Sequence, residues 1–341
     1  MDFDLRAHTL LLAVGGSRAY GIHTSASDVD IKGVAVPPAR YLHGFLQRFE
    51  QIDTPAHLTP YADLLNAEET AAVATTKLEG VVFDLRKFLS LAAEANPNLL
   101  DLLFCRDEEL RLVTPLGALL REQRSLFLSK RARHTFAGYA HAQLKRIRGH
   151  REWLLNPPKE EPTRVAYGLP EGGGVMPRDQ LGALDTLLER GMTAEDLGLS
   201  VGALELLQRE KYWRAARRHW EQYQTWKTSR NPARATLEER FGYDTKHGAH
   251  LVRLLRMGLE IMQEGRVYVW RGDRDADELL AIRAGAWTYD RLITWADEVD
   301  AKLEGLYAES HLPREPDRVA IDRLCVTVVE AALAGAPTAS R

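Results

Sequence analysis

The stretch Leu11–Val36, LLAVGGSRAYGIHTSASDVDIKGVAV, holds two apolar segments joined by a glycine-serine turn and a polar loop. The run ending at Val14 has the length and composition of a buried strand. Gly15 and Gly16 allow a sharp turn that exposes backbone amides, and Ser17 adds a hydroxyl. A short helix is predicted over Ser17–Ile22. After a polar turn through Thr24, Ser25 and Ser27, the composition of Asp28–Val36 predicts a second strand. Residues two apart in a strand share a face, so Asp28 and Asp30 aim their carboxylates into one small volume beside the turn.

Two like charges so placed repel, and each raises the cost of ionising the other unless a cation sits between them. A hard divalent ion takes oxygen ligands from carboxylates, phosphates and water. Backbone amides and a hydroxyl at the start of a helix are groups that cradle phosphate. The stretch therefore predicts a place where a divalent metal and a triphosphate meet.

Composition sets the frame around this corner. The chain has 341 residues, with 45% hydrophobic and 27% charged residues, the balance of a globular protein large enough for two domains. A formal net charge of −3 argues against a protein that coats nucleic acid non-specifically. Cys105 and Cys325 are too few for a disulfide framework or a zinc ligand set, and are expected to be small buried hydrophobes. The first residues, MDFDLRAH, lack the pattern of a signal peptide, and no apolar run approaches the roughly 20 residues needed to span a bilayer. The expected location is the cytoplasm, with no membrane partner.

Residues 1–112 are predicted to form a mixed α/β unit, with strands at Thr9–Val14, Asp28–Val36 and Glu79–Phe83. Helical spacing marks Leu85–Glu94, with Asp84 at its N-cap, and Asn96-Pro97-Asn98 separates it from a second helix beginning at Leu99. Residues 113–335 are predicted to be a helical C-terminal domain. Its helices are expected at Lys130–Leu155, Leu204–Thr228, Thr245–Glu264, Trp287–Tyr307 and Pro316–Leu333. A Pro/Gly-rich surface loop is expected at 156–178, and a disordered tail at 336–341.

Two basic faces stand out. Lys130–Leu155 carries Lys130, Arg131, Arg133, Lys145, Arg146, Arg148 and Arg151. In Leu204–Thr228 a helical projection gathers Tyr212, Trp213, His219, Trp220, Tyr223 and Trp226 on one arc, opposite Arg214, Arg217 and Arg218. Interleaved aromatics and arginines suit base stacking, but their angular separation favours aromatics in a core and arginines on a contact surface. In Thr245–Glu264, Lys246, His250 and Arg253 share one face at i, i+4 and i+7, which is either a solvated stripe or a set of phosphate contacts.

A Gly-Ser turn opening a short helix, followed on the next strand by Asp-x-Asp, resembles the signature of the polymerase β-type nucleotidyltransferase superfamily. The blocks GGSRAYG, SDVDIKGV, FDLRKFLSLAAEANPNLLDLLF, GYAHAQLKRI, GYDTKHGAHLVRLLR and LLAIRAGAWTY resemble its RNA repair pathway branch, which has phage members, over nearly the whole chain. The resemblance implies a palm domain of mixed α/β type followed by the helical domain. It also implies that Gly16 and Ser17 hold the β- and γ-phosphates of a nucleoside triphosphate, and that Asp28 and Asp30 bind Mg²⁺ or Mn²⁺ in a two-metal site.

The superfamily usually adds a third carboxylate from a later strand. Glu79 and Asp84 are the candidates here, and Glu79 is preferred because Asp84 has a competing explanation as a helix cap. Lys246 and His250 are candidate phosphate or ribose contacts. Transfer of a nucleoside monophosphate to a hydroxyl is the implied reaction, with pyrophosphate released. An RNA 3′ end, tRNA included, is the implied acceptor. Nucleotidylation of a protein or small molecule is the alternative, and an inactive nucleotide or RNA sensor is a third.

Overall fold

The computed structural model describes residues 2–172, 178–193 and 195–335. The strands are β1 (Thr9–Val14), β2 (Val29–Ala35), β3 (Gln51–Ile52), β4 (Leu78–Asp84) and β5 (Leu110–Val113). They form one mixed sheet in the order β3-β4-β2-β1-β5, with β2 and β4 parallel and the other neighbours antiparallel.

All six residues of β1, TLLLAV, are buried, as expected of a strand with neighbours on both sides and both faces covered. In β2, Val29 and Ile31 are wholly buried while Asp30 and Lys32 are half-buried, so a period of two separates an apolar face from a polar one. The apolar face packs into a core with Leu12, Val14, Leu58, Tyr61 and Val82. Asp28, Asp30 and Lys32 share the other parity.

Side-chain caps set where several helices begin. Asp84 accepts hydrogen bonds from the Arg86 and Lys87 amides and opens the helix Leu85–Ala93. Asn96 caps Pro97–Phe104, two residues earlier than the predicted start at Leu99, because proline is well placed in a first turn. Asp244 caps Thr245–Glu264 by accepting from the His247 amide, and Gly265, at φ 64°, ends it in a left-handed conformation. The last two helices run over Tyr289–Glu309 and Arg318–Leu333.

Contacts divide the chain into two units, Met1–Ile147 with Asp244–Arg341, and Arg148–Tyr243. This division differs from the expected boundary at 112/113, because helices from both ends of the chain share the core of the first unit. Arg318–Leu333 packs on Leu85–Ala93 and on Pro115–Glu122. Arg131 and Arg318 both pair with Glu94.

In the second unit, the long helix Val201–Ser229 carries the aromatic arc. Trp213 and Tyr223 are buried as expected, and Trp220 and Trp226 are half-buried. Tyr212, 63% exposed, and the exposed His219 lie outside the core, at the edge of too broad an arc for one helix to bury. The described part of the Pro/Gly-rich loop is tied to this helix. Trp213 Nε1 donates to Pro162 O at 3.0 Å, and Arg164 pairs with Glu210 at 2.7 Å. Residues 173–177 of that loop and the tail at 336–341 lie outside the described residues.

Candidate active site

The Gly-Ser turn and the acidic strand end meet as adjacent backbone. Gly15 N donates to Asp30 O at 2.8 Å, and the helix Gly16–Ala19 starts at that point. Gly16 has φ 59°, and a Cβ there would overlap the Asp30 carboxylate oxygen Oδ2. The position therefore needs glycine twice, for its backbone and for its closeness to Asp30. Gly16 and Ser17 are half-buried, leaving the turn open on one side.

The register between β2 and β4 locates the remaining carboxylates. Asp30 lies directly opposite Glu79, whereas Asp84 lies opposite Ala35, five residues further along. At roughly 3.3 Å per residue that is about 16 Å from the level of Asp30. Asp84 is buried and engaged at its helix cap and with Arg86, while Glu79 is exposed. Asp28 is also exposed, and its Oδ1 accepts from Lys77 N at 3.3 Å.

Burial pushes the Asp30 carboxyl above its ordinary range; Lys32 opposes this, Glu79 and Asp28 add to it, and Lys246 opposes it. Asp28, Glu79 and Lys246 therefore all lie within electrostatic reach of Asp30. Asp28, Asp30 and Glu79 thus lie at the same end of the β2–β4 pair, beside the Gly16 turn, and carboxylate oxygens are ligands that a hard divalent ion takes. An open depression of about 500 Å³ adjoins Asp28, lined by Ser25, Ala26, Asp28, Thr75, Thr76 and Lys77.

His250 differs from Lys246 in its charge. Burial drives its pKa well below the ordinary histidine value, and Arg253, His247, Lys246 and Arg283 push the same way. At neutral pH it is an uncharged imidazole that can donate one N–H but adds no positive charge. The positive charge on this helix face comes from Lys246 and Arg253.

Four residues not singled out by motif complete the surroundings. The Lys32 stem packs on Gly15, and its ammonium donates to Asn98 O at 3.1 Å and stands 3.6 Å from Asp101 Oδ2. The same carboxylate accepts from the Tyr20 hydroxyl, and the Arg253 guanidinium lies 3.6 Å from the Tyr20 ring centroid. Lys32 was visible in principle, as the next residue of the Asp28, Asp30 parity. Asp101 and Tyr20 meet 81 residues apart in sequence, a tertiary contact without a local pattern.

Residues 4–156 match the family model described as RNA repair pathway DNA polymerase beta family. This part of the chain belongs to that family. The match covers the turn, all five strands and the three carboxylates, and ends before the blocks at Gly242–Arg256 and Leu279–Tyr289. That match supports a polymerase beta-type nucleotidyltransferase relationship for residues 4–156. No curated protein and no solved structure matches it. Among the described residues, no helix is long and apolar enough to cross a membrane.

Proposed function

We propose that the protein transfers a nucleoside monophosphate from a nucleoside triphosphate to a hydroxyl group, with an RNA 3′ end as the acceptor. The observation that carries this reading is that Asp28, Asp30 and the registered Glu79 share one end of the β2–β4 pair, next to the Gly16–Ser17 turn.

In this reading Gly16 and Ser17 offer an amide and a hydroxyl to the β- and γ-phosphates. Lys246 offsets triphosphate charge, and neutral His250 donates an N–H to a phosphate or ribose oxygen. The carboxylates of Asp28, Asp30 and Glu79 would hold Mg²⁺ or Mn²⁺, two ions in the full site, which lower the pKa of the attacking hydroxyl and neutralise charge on the leaving pyrophosphate. The hydroxyl oxygen bonds to the α-phosphorus as the bond from that phosphorus to the β-bridging oxygen breaks, and the hydroxyl proton passes to a carboxylate of the set. RNA as the acceptor class is supported by the family's pathway and by the exposed arginines 217 and 218 of the second unit.

Incubation with each α-labelled triphosphate, Mg²⁺ or Mn²⁺, and RNA, protein or small-molecule acceptors tests the proposal. Label on RNA that disappears in Asp28→Ala and Asp30→Ala supports it. Label on a protein or small molecule keeps the chemistry and replaces the acceptor. Triphosphate binding without transfer under every condition overturns the enzymatic reading in favour of a sensor.

A further inference from the structure

Among the described residues, three arginines of the first unit are buried: Arg18 pairs with Glu68, and the other two are partnered in opposite ways. Arg271 is 1% exposed and pairs with Glu260 and Asp275, each at 2.6 Å, while its amide donates to Tyr20 O. Arg253 is 4% exposed, and no ion pair among the described residues includes it. Among the described residues its buried Nε has no hydrogen-bond partner, and its one hydrogen bond runs from Nη1 to the Met257 thioether at 3.1 Å, a weak acceptor. The Tyr20 ring lies beneath it.

Stacking on a tyrosine returns far less than removing a guanidinium from water costs. A buried cation of this kind is held at a deficit unless an anion arrives. Its surroundings say where the anion would sit. Tyr20 follows the Gly16–Ala19 helix directly, Arg253 shares a helix face with Lys246 and His250, and Tyr20 and Lys246 both lie within electrostatic reach of Asp30. Carboxylates are already present in this neighbourhood, yet the guanidinium pairs with none of them.

We infer that Arg253 is an anion-recognition residue whose missing counter-ion is a phosphate group of the substrate. Its planar fork suits two phosphate oxygens at once, which Lys246 as a point charge does not. This inference takes the triphosphate site of the proposed function as its setting, but it does not require that transfer occurs. The phosphate has two possible sources, the triphosphate tail and the α-phosphate attached to the nucleoside.

The test compares Arg253→Met, Arg253→Lys and, as a structural control, Arg271→Met. Binding of inorganic tripolyphosphate and of adenosine monophosphate is measured by calorimetry with Mg²⁺, and Tm is measured without ligand. Arg253→Met is expected to weaken binding by at least about tenfold, with Tm unchanged or raised, because the variant removes an uncompensated buried charge. Arg253→Lys should recover part of the affinity. Loss confined to tripolyphosphate assigns the tail, and loss with both ligands assigns the α-phosphate.

Unchanged affinity for both ligands in Arg253→Met, with a fall in Tm like that of Arg271→Met, overturns the inference and makes Arg253 a structural residue. If wild-type protein transfers label while Arg253→Met binds normally, the inference fails and the proposed function stands. If wild-type protein transfers nothing but Arg253→Met loses tripolyphosphate, the inference stands and the proposed function fails.

Discussion

Asp30 and Glu79 face each other in register across the parallel pair β2–β4, and the charge of Glu79 is felt at Asp30. Glu79 also stands at the solvent edge, so its carboxylate contributes little to folding, whereas Asp84 on the same strand is buried and capped. The two acids should therefore separate activity from stability. Glu79→Gln is expected to lose transfer activity by at least about a hundredfold, as for a group acting on the reacting atoms, with Tm unchanged. Asp84→Ala should cost about 1 kcal/mol through the lost cap, a fall of roughly 2–4 °C in Tm, and keep most activity. Parallel rate and melting measurements check both halves.

At Gly16 the effect should fall on both properties. A methyl group there meets the Asp30 carboxylate and forces a left-handed backbone on alanine. Gly16→Ala is expected to cost at least about 1 kcal/mol in stability. It should also remove Mg²⁺-dependent triphosphate binding, because Asp30 has to move. Gly138→Ala has open space around its Cβ and is the control, with binding unchanged and Tm the same or higher.

Arg271 ties the segment after Thr245–Glu264 to the backbone of Tyr20, and its two carboxylate partners become uncompensated when it is removed. Arg271→Met is expected to destabilise the protein by about 3–5 kcal/mol. Denaturant unfolding followed by circular dichroism gives the value directly. Gly21 packs against the Trp270 ring beside it, so the same variant should loosen the Gly-Ser turn and raise the Km for triphosphate.

Local signals located much of this fold. The range of β1, Thr9–Val14, follows from an apolar run bounded by glycine, and the helix Thr245–Glu264 keeps its expected range, which Asp244 caps and Gly265 ends. Asp84 was legible as a cap because an acid stood directly before helical periodicity. β3 has two residues and β5 four, too short for any period to show. At the candidate site, the parity of Asp28 and Asp30 is a property of sequence, but the pairing of Asp30 with Glu79 is one of register. The isolation of Arg253 and the neutrality of His250 depend on burial by distant segments, which no spacing along one helix reveals.

His250 makes that last point measurable. Its folded-state pKa lies well below the ordinary value, because burial and the surrounding cations disfavour the imidazolium. Below about pH 6.5 the unfolded chain binds a proton at this position that the folded chain does not. Folding stability contributed here is therefore intact above the unfolded value and is lost as pH falls, at a limiting slope of about 1.4 kcal/mol per pH unit. His250→Gln keeps an N–H donor and removes the titration. The wild-type protein should lose stability faster than the variant between pH 6.5 and 5, with the stability difference between the two constant above pH 7.5. Urea unfolding at half-unit pH steps reads that difference, and parallel curves across the whole range would show that His250 titrates normally in the folded protein.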